Sequence, residues 1–174
     1  MKKIRFLWNN EIDQSGVVLT HFSEDPDYPD DNVSHRWHTW CYRTDGVAAD
    51  EWLMWKFDGA KDVNALVIKN HNIRIGATVD IQAHTVGNDW GNVAVVSESV
   101  TVTTEHIIHW LANTVNREYW RLKVQDAGNP AGYLKIGRIF LGTYFEPTEN
   151  FIVGSAKKLI DPSVKRYSSG GQLS

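Results

Sequence analysis

The chain has 174 residues, of which 42% are hydrophobic, and its 18 basic and 21 acidic residues leave a net charge of −3. A chain of this length buries about 70% of its unfolded surface, so we expect one domain that holds its core without disulfides or metal. The lack of a basic excess argues against a dedicated nucleic-acid-binding protein. The single cysteine, Cys41, excludes an internal disulfide and a cysteine-rich zinc site.

The beginning of the chain is charged and then apolar, MKKIRFLW, and Asn9-Asn10-Glu11 break it at once. This break comes too early for the apolar region of a signal peptide. No apolar run approaches the about 20 residues that span a bilayer. We therefore expect folding in a cytoplasm and no membrane insertion.

The first unusual segment is an acidic loop at 23–32, which two prolines interrupt. Its carboxylates are ligands that calcium prefers, which makes the loop a candidate calcium site. Pro26 and Pro29 equally favour a rigid, solvated turn, and the alternate-residue spacing of a calcium loop is missing. The candidate metal ligands are Asp25, Asp27, Asp30 and Asp31.

An aromatic segment, RWHTWCYR at 36–43, follows the acidic loop. Sugar rings stack their apolar faces on Trp or Tyr, while Arg, His and Asn bond the hydroxyl groups. The same aromatics are also suited to a sandwich core, and both interpretations stay open. Trp90 lies in the turn GNDWG, and loops run over the surface, so this tryptophan is harder to place in a core. The candidate sugar-binding residues are Arg36, Trp37, His38, Trp40, Tyr42, Asn88 and Trp90.

Strand signals dominate the middle of the chain. Alternation predicts a strand at 78–84 with Val79, Ile81 and Ala83 on one face, and a strand at 119–124 with Trp120 inward. Segment 104–111 suits a short helical turn or a strand. Turn signals such as Asp58-Gly59 separate the elements. Further strands are predicted at 51–57, 63–69, 93–103 and 134–143.

Many short strands with a turn about every ten residues favour a mostly β protein, an antiparallel β-sandwich or jelly roll. We expect this domain to span 1–146. The segment 147–174 lacks strand alternation, is locally basic and ends in SSGGQ before the last two residues. We expect it to be an extended arm that orders against a partner subunit, with a disordered tail as the alternative. The candidate partner-binding residues are Phe151, Lys157, Lys158, Arg166, Tyr167 and Gln172.

Catalytic patterns are missing. The sequence has no Gly-x-Ser-x-Gly nucleophile motif and no Gly-rich phosphate loop followed by Lys-Ser or Lys-Thr. His35 and His38 have the same spacing as His106 and His109, but neither pair is joined to an acid or cysteine in a known zinc pattern. We expect surface or hydrogen-bonded histidines, with metal ligation as the alternative, and no enzymatic activity.

The order of these segments resembles a discoidin-type, galactose-binding-like jelly roll. The resemblance rests on EWLMWKFDG at 51–59 and EYWRLKV at 118–124, and it covers about 17–172. Three further segments resemble bacteriophage tail-associated proteins with this module: KNHNI at 69–73, IGRIFLGTYFEP at 136–147 and YSSGGQ at 167–172. Ligand-binding discoidin domains often carry a terminal disulfide pair, which a single cysteine cannot form.

The resemblance implies a structural subunit of a phage or prophage tail, at the distal tail, baseplate or fibre attachment, located in the virion. The implied partners are other tail or baseplate proteins. The alternative is a carbohydrate-binding module that contacts a host surface polysaccharide during adsorption. The resemblance also implies a structural calcium near the acidic loop; no other cofactor, nucleic acid or membrane is expected.

Overall fold

A computed structural model describes residues 4–37, 39–87, 89–91 and 96–148. The chain divides into one unit at Arg5–Glu146 and another that comprises Met1–Ile4 and Pro147–Ser174. The predicted arm falls almost wholly on 149–174, outside the described residues. Among the described residues, no helix is long and apolar enough to cross a bilayer.

Among the described residues of the unit at Arg5–Glu146, the chain forms eight strands and two short 3₁₀-helices. The 3₁₀-helices are Glu11–Asp13 and Asp30–Ser34. The strands are β1 (Phe6–Asn10), β2 (Val18–His21), β3 (Tyr42–Arg43), β4 (Glu51–His71), β5 (Thr78–His84), β6 (Val96–Ser99), β7 (His106–Gln125) and β8 (Lys135–Phe145). The predicted strand at 78–84 is confirmed, and segment 104–111 lies mostly in β7 rather than in a helical turn.

The strands pair antiparallel in the order β1-β8-β4-β7-β5-β6, with β2 added on β4 and β3 on β8. The first half of β4 pairs with β2 on one side and with the second half of β7 on the other. This second half of β7 also pairs with β5. The second half of β4 pairs with β8 and with the first half of β7. Two layers therefore share β4 and β7, and the predicted antiparallel sandwich is confirmed.

The core lies between these layers, and the predicted inward faces supply it. Val79, Ile81 and Ala83 are buried on β5, and Trp120 on β7 is 1% exposed. Trp120 pairs in register with Trp55, which is also 1% exposed. Among the described tryptophans only these two are buried, so the core does not account for the others.

The turn predicted at Asp58-Gly59 is wrong, because the structure has one continuous strand from Glu51 to His71. The register with β7 shifts between Lys56 and Lys61, and Gly59 has a φ of +81°. A β-bulge uses the same left-handed glycine as a turn, so the local sequence signals are alike. The bulge lies where β4 passes from one layer into the other.

Candidate carbohydrate-binding surface

The loop at 22–41, between β2 and β3, is held at several points along its length. Val33, in the 3₁₀-helix Asp30–Ser34, is fully buried and anchors the loop in the core. The Asn32 side-chain amide donates to the Cys41 carbonyl at 2.9 Å. The Trp40 amide donates to the Trp37 carbonyl at 3.0 Å, which closes a tight turn. The loop is thus a fixed platform for its exposed side chains.

Trp37 and Trp40 lie on the outside of this loop, with 57% and 52% of their surfaces exposed. The His35 ring stacks on Trp40 with a centroid distance of 4.2 Å and an interplanar angle of 11°. The Trp37 backbone amide donates to His35 Nδ1 at 3.2 Å, which orients the imidazole. His35 covers one face of the Trp40 indole, and more than half of the Trp40 surface stays exposed.

Polar groups accompany these rings. Arg36 is exposed and lies between His35 and Trp37 in the chain. Flat apolar faces next to guanidinium and imidazole donors are the chemistry that binds a sugar ring. His38, also predicted here, lies outside the described residues. We call the exposed surface of His35, Arg36, Trp37 and Trp40 the tryptophan loop.

Tyr42 does not belong to this surface, and its assignment to a sugar site is corrected. The side chain is 2% exposed, and its hydroxyl donates to the Ser23 carbonyl at 2.5 Å. Burial, with the nearby Glu51 adding repulsion, raises the pKa of Tyr42 well above its ordinary value. Tyr42 lines a cavity of about 10 Å³, which has room for one water at most. An extended segment would place Trp40 and Tyr42 on one face, whereas the loop turns at 37–40 and separates them.

Arg43 joins the loop to the segment that precedes β8. Its guanidinium lies 4.4 Å from the Tyr28 ring centroid and 3.7 Å from that of Tyr133. Asp25 Oδ2 lies 3.8 Å from Arg43 Nε. These contacts tie the 22–41 loop to the segment that precedes β8. No sequence signal joins Arg43 to a residue 90 positions later.

Asn72 extends this support. Its side-chain amide donates to the Tyr133 carbonyl at 2.9 Å, and its Oδ1 accepts from the Lys135 amide at 2.7 Å. Asn72 therefore holds the segment 133–135 beside the end of β4.

His71 precedes Asn72 in the chain. Both of its ring nitrogens are buried and have no hydrogen-bond partner among the described residues. Burial, with smaller effects of Lys135 and His106, lowers the pKa of His71 below its ordinary value.

Trp90 lies beside β5 and β7, and its ring centroid is 6.3 Å from that of His84, where β5 ends. The 22–41 loop leaves β2, which pairs with β4 on the other side of β7 from β5. Trp90 is half-buried, with the Arg121 guanidinium 4.4 Å from its ring centroid. The structure therefore does not bring Trp90 together with the tryptophan loop. Asn88 lies outside the described residues.

The four aspartates predicted as calcium ligands do not gather into one site. Among the described residues, the only group of three or more ligating side chains is His21, Glu24 and Asp30, with ligand atoms within 4.8 Å of one another. His21 Nδ1 and Asp30 Oδ2 already form a 2.8 Å hydrogen bond. Asp25 Oδ1 accepts from the Asp27 amide at 3.1 Å, and Asp31 is exposed. The donor set does not fit a calcium ion, which prefers oxygen ligands throughout.

The other histidine pair is used internally. His109 Nε2 lies 3.1 Å from Glu98 Oε2, and His106 is an exposed strand residue. Because β7 is a strand, successive side chains alternate between its faces, and a spacing of three sends the two imidazoles to opposite faces. His106 and His109 thus match the expectation of a surface and a hydrogen-bonded histidine, whereas His71 is buried without a hydrogen-bond partner among the described residues.

Comparisons with known proteins bear on the fold. No protein-family model matches the sequence, and no curated protein matches it. Solved structures with a galactose-binding-like jelly roll do match, and they define the class of this fold. The chain is a mostly β sandwich of the type seen in family 32 carbohydrate-binding modules.

Three of these structures are individual sugar-binding modules. The family 32 module of NanJ from Clostridium perfringens, in complex with galactose, matches with a TM-score of 0.56 and 16% identity over 82% of this chain and 100% of that chain. The module CpGH89CBM32-5 of Clostridium perfringens, in complex with GalNAc-β-1,3-galactose, has a TM-score of 0.58 and 11% identity over 78% and 100%. The fucose-binding module SpX-3 of Streptococcus pneumoniae has a TM-score of 0.59 and 12% identity over 79% and 100%. At these identities the likeness establishes the fold.

Proposed function

We propose that this chain is a non-catalytic carbohydrate-binding module and that the tryptophan loop contacts the sugar. The observation that carries the proposal is the pair of exposed indoles in a loop fixed by its own hydrogen bonds. Large aromatics exposed in this way add little to the core, so a ligand accounts for their exposure. A fixed loop also reduces the entropy lost on binding.

The arrangement favours a sugar with one apolar face. Trp40 presents its exposed surface to the ligand, while His35 covers one of its faces at 4.2 Å. Arg36 supplies hydrogen-bond donors for hydroxyl groups at the same surface. Two of the similar structures described above are complexes with galactose or GalNAc-β-1,3-galactose, and the third is a fucose-binding module. These sugars are therefore the first probes to use.

The test is isothermal titration of the full chain with galactose, with GalNAc-β-1,3-galactose and with fucose. We expect binding of at least one of these sugars, and a loss of more than tenfold in affinity for Trp40→Ala and for Trp37→Ala. The matched control is Trp8→Ala, which removes an exposed indole from β1. Unchanged affinity in both loop variants would contradict the proposal, as would loss of binding in the control alone.

Placement in a phage tail, residence in the virion and docking to tail subunits stay predictions. They rest on segments of sequence, and one of these segments, 167–172, lies outside the described residues. Glycan binding is compatible with them, because a subunit can both assemble and adsorb. Truncation after Pro147 separates the roles: it should abolish assembly into a tail and leave sugar affinity unchanged.

A further inference from the structure

Three side chains that can ligate a metal meet where β2 ends and the 22–41 loop begins. His21 is the last residue of β2, Glu24 follows it in the loop, and Asp30 begins the 3₁₀-helix Asp30–Ser34. Their ligand atoms all lie within 4.8 Å of one another. We call these three side chains the His21 cluster. The proposed sugar contacts include none of them.

Each member of the cluster is held in place by the surrounding structure. The backbone of His21 pairs with Leu53 of β4. Glu24 Oε2 accepts from the Asp30 backbone amide at 2.7 Å. Asp30 begins the helix in which Val33 is fully buried. Because the donor atoms are already close together, an ion can bind them with little loss of conformational entropy.

The His21 cluster carries negative charge that its surroundings do not cancel. Glu24 and Asp30 supply two carboxylates, and their ion pairs among the described residues are both with His21. A protonated imidazole balances one of these two charges and leaves the other. A divalent cation at the same place balances both, so the charge of the cluster favours such an ion.

The distances suit an ion that forms short bonds. Zinc binds nitrogen and oxygen ligands at about 2.0–2.2 Å in a tetrahedron, which places neighbouring donor atoms about 3.3 Å apart. His21 Nδ1 lies 3.6 Å from Glu24 Oε2 and 2.8 Å from Asp30 Oδ2. Small side-chain rotations bring both distances to the tetrahedral value. The side chains of His21, Glu24 and Asp30 are 32%, 24% and 16% exposed, so water can reach a fourth position.

We propose that His21 Nδ1, Glu24 and Asp30 bind one zinc ion, with water as the fourth ligand. The imidazole nitrogen favours zinc over calcium and magnesium, which prefer oxygen ligands. Zinc also binds mixed nitrogen and oxygen sites more tightly than manganese or ferrous iron does. When the metal takes Nδ1, the neutral His21 ring carries its proton on Nε2, and the hydrogen bond to Asp30 is replaced by two metal bonds.

A bound zinc ion joins the end of β2 to the middle of the 22–41 loop. His21 and Asp30 are nine residues apart in the chain, and the helix that Asp30 begins leads into the tryptophan loop. An ion that binds the folded chain and not the unfolded chain stabilises the fold by mass action. The thermal midpoint should therefore rise when zinc is added.

The test is calorimetric titration of zinc chloride into the untagged full chain, after a chelator has removed bound metal and has itself been dialysed away. We expect one zinc ion per chain, with more than tenfold weaker binding for His21→Gln and for Asp30→Asn. The matched control is His109→Gln, which should bind zinc like the natural chain. His109 forms a similar pair with Glu98 at 3.1 Å, but among the described residues no third ligating side chain joins that pair.

Cobalt reports the coordination geometry. Cobalt(II) in a tetrahedral site absorbs visible light far more strongly than the hydrated octahedral ion. The natural chain with cobalt should therefore show a visible band that zinc abolishes and that His21→Gln lacks. Circular dichroism verifies that His21→Gln is folded, so loss of the band reports the site rather than unfolding.

Three outcomes overturn the proposal. A natural chain that takes up no zinc shows that the His21 cluster is only a hydrogen-bonded network. Equal zinc affinity, or an equal rise of the thermal midpoint, in the natural chain and in His21→Gln places the ion on other histidines. Displacement of zinc by a tenfold excess of calcium shows that the ligands are oxygens without His21. These measurements contain no sugar, so their outcome is independent of the proposed function.

Discussion

Two pairs of tryptophans divide the molecule into regions with different roles. Trp55 and Trp120 face each other across β4 and β7 and are each 1% exposed, whereas Trp37 and Trp40 are more than half exposed in a loop. The first pair is held by the whole core. The second pair is held by a few hydrogen bonds and a histidine stack. The same residue type thus serves stability in the strands and, in our proposal, recognition in the loop.

The largest expected effect comes from the buried pair. Trp120→Ala should lower the free energy of unfolding by about 3–5 kcal/mol, because it leaves a cavity between the layers. Chemical denaturation followed by circular dichroism measures this. A loss below about 1 kcal/mol would show that the core collapses around the cavity, and the contrast between the pairs would then fail.

A finer comparison distinguishes the two buried rings. Trp120 Nε1 donates to the Arg117 carbonyl at 3.2 Å, whereas Trp55 Nε1 is buried without a partner among the described residues. Replacing each ring with Phe removes similar volume but only one hydrogen bond. Trp120→Phe should therefore cost about 1 kcal/mol more than Trp55→Phe in the same denaturation experiment. Equal losses would mean that the indole hydrogen bond contributes nothing.

The loop that carries the exposed pair should depend on Asn32. Asn32→Ala removes the hydrogen bond to the Cys41 carbonyl, with an expected loss of about 1 kcal/mol of stability. Sugar affinity should fall as well, although Asn32 is not a proposed contact residue. Calorimetry with the sugar that the natural chain binds measures this. Affinity equal to that of the natural chain would show that the loop needs no such support.

Acid should weaken the region beside that loop through His71. Its pKa is lowered in the folded state, so the unfolded chain takes up a proton at higher pH than the folded chain. The contribution of His71 is therefore fully present above its ordinary pKa near 6.5 and is lost as the pH falls through the lowered value. Thermal midpoints of the natural chain and of His71→Gln, taken between about pH 8 and about pH 5, should converge towards acid. Parallel curves would contradict this.

The smallest effect on stability is expected for Trp37→Ala. The indole is 57% exposed, so the free energy of unfolding should change by no more than about 0.5 kcal/mol. The same variant should lose sugar binding, which makes it the counterpart of Trp120→Ala. A stability loss of about 2 kcal/mol would instead assign Trp37 to the packing of the loop.

Strands are predictable from this sequence because alternation is a local signal. The predicted strand at 78–84 has the bounds that the structure shows, and the predicted inward face of 119–124 is the one found in the core. Asp58-Gly59 misleads because a bulge and a turn use the same residues. Continuity of β4 is decided by β7, which lies about 60 residues later along the chain.

The candidate site is predictable only in part. Aromatic composition locates the tryptophan loop, but local sequence cannot show which rings are buried. Tyr42 and Trp40 are two residues apart, but Tyr42 is buried in the core and Trp40 is exposed to solvent. The contact of Arg43 with Tyr133 depends on segments that are distant in sequence. Such a contact follows from tertiary packing alone.

The sharing of β4 and β7 by both layers has a consequence for how the domain comes apart. Neither layer keeps its central strands if the other is lost, because each long strand supplies part of its length to each layer. Heat or denaturant should therefore melt the sandwich in one cooperative step, with no half-folded species accumulating. Fragments cut within either long strand should not fold, so grafts and fusions belong in the loops.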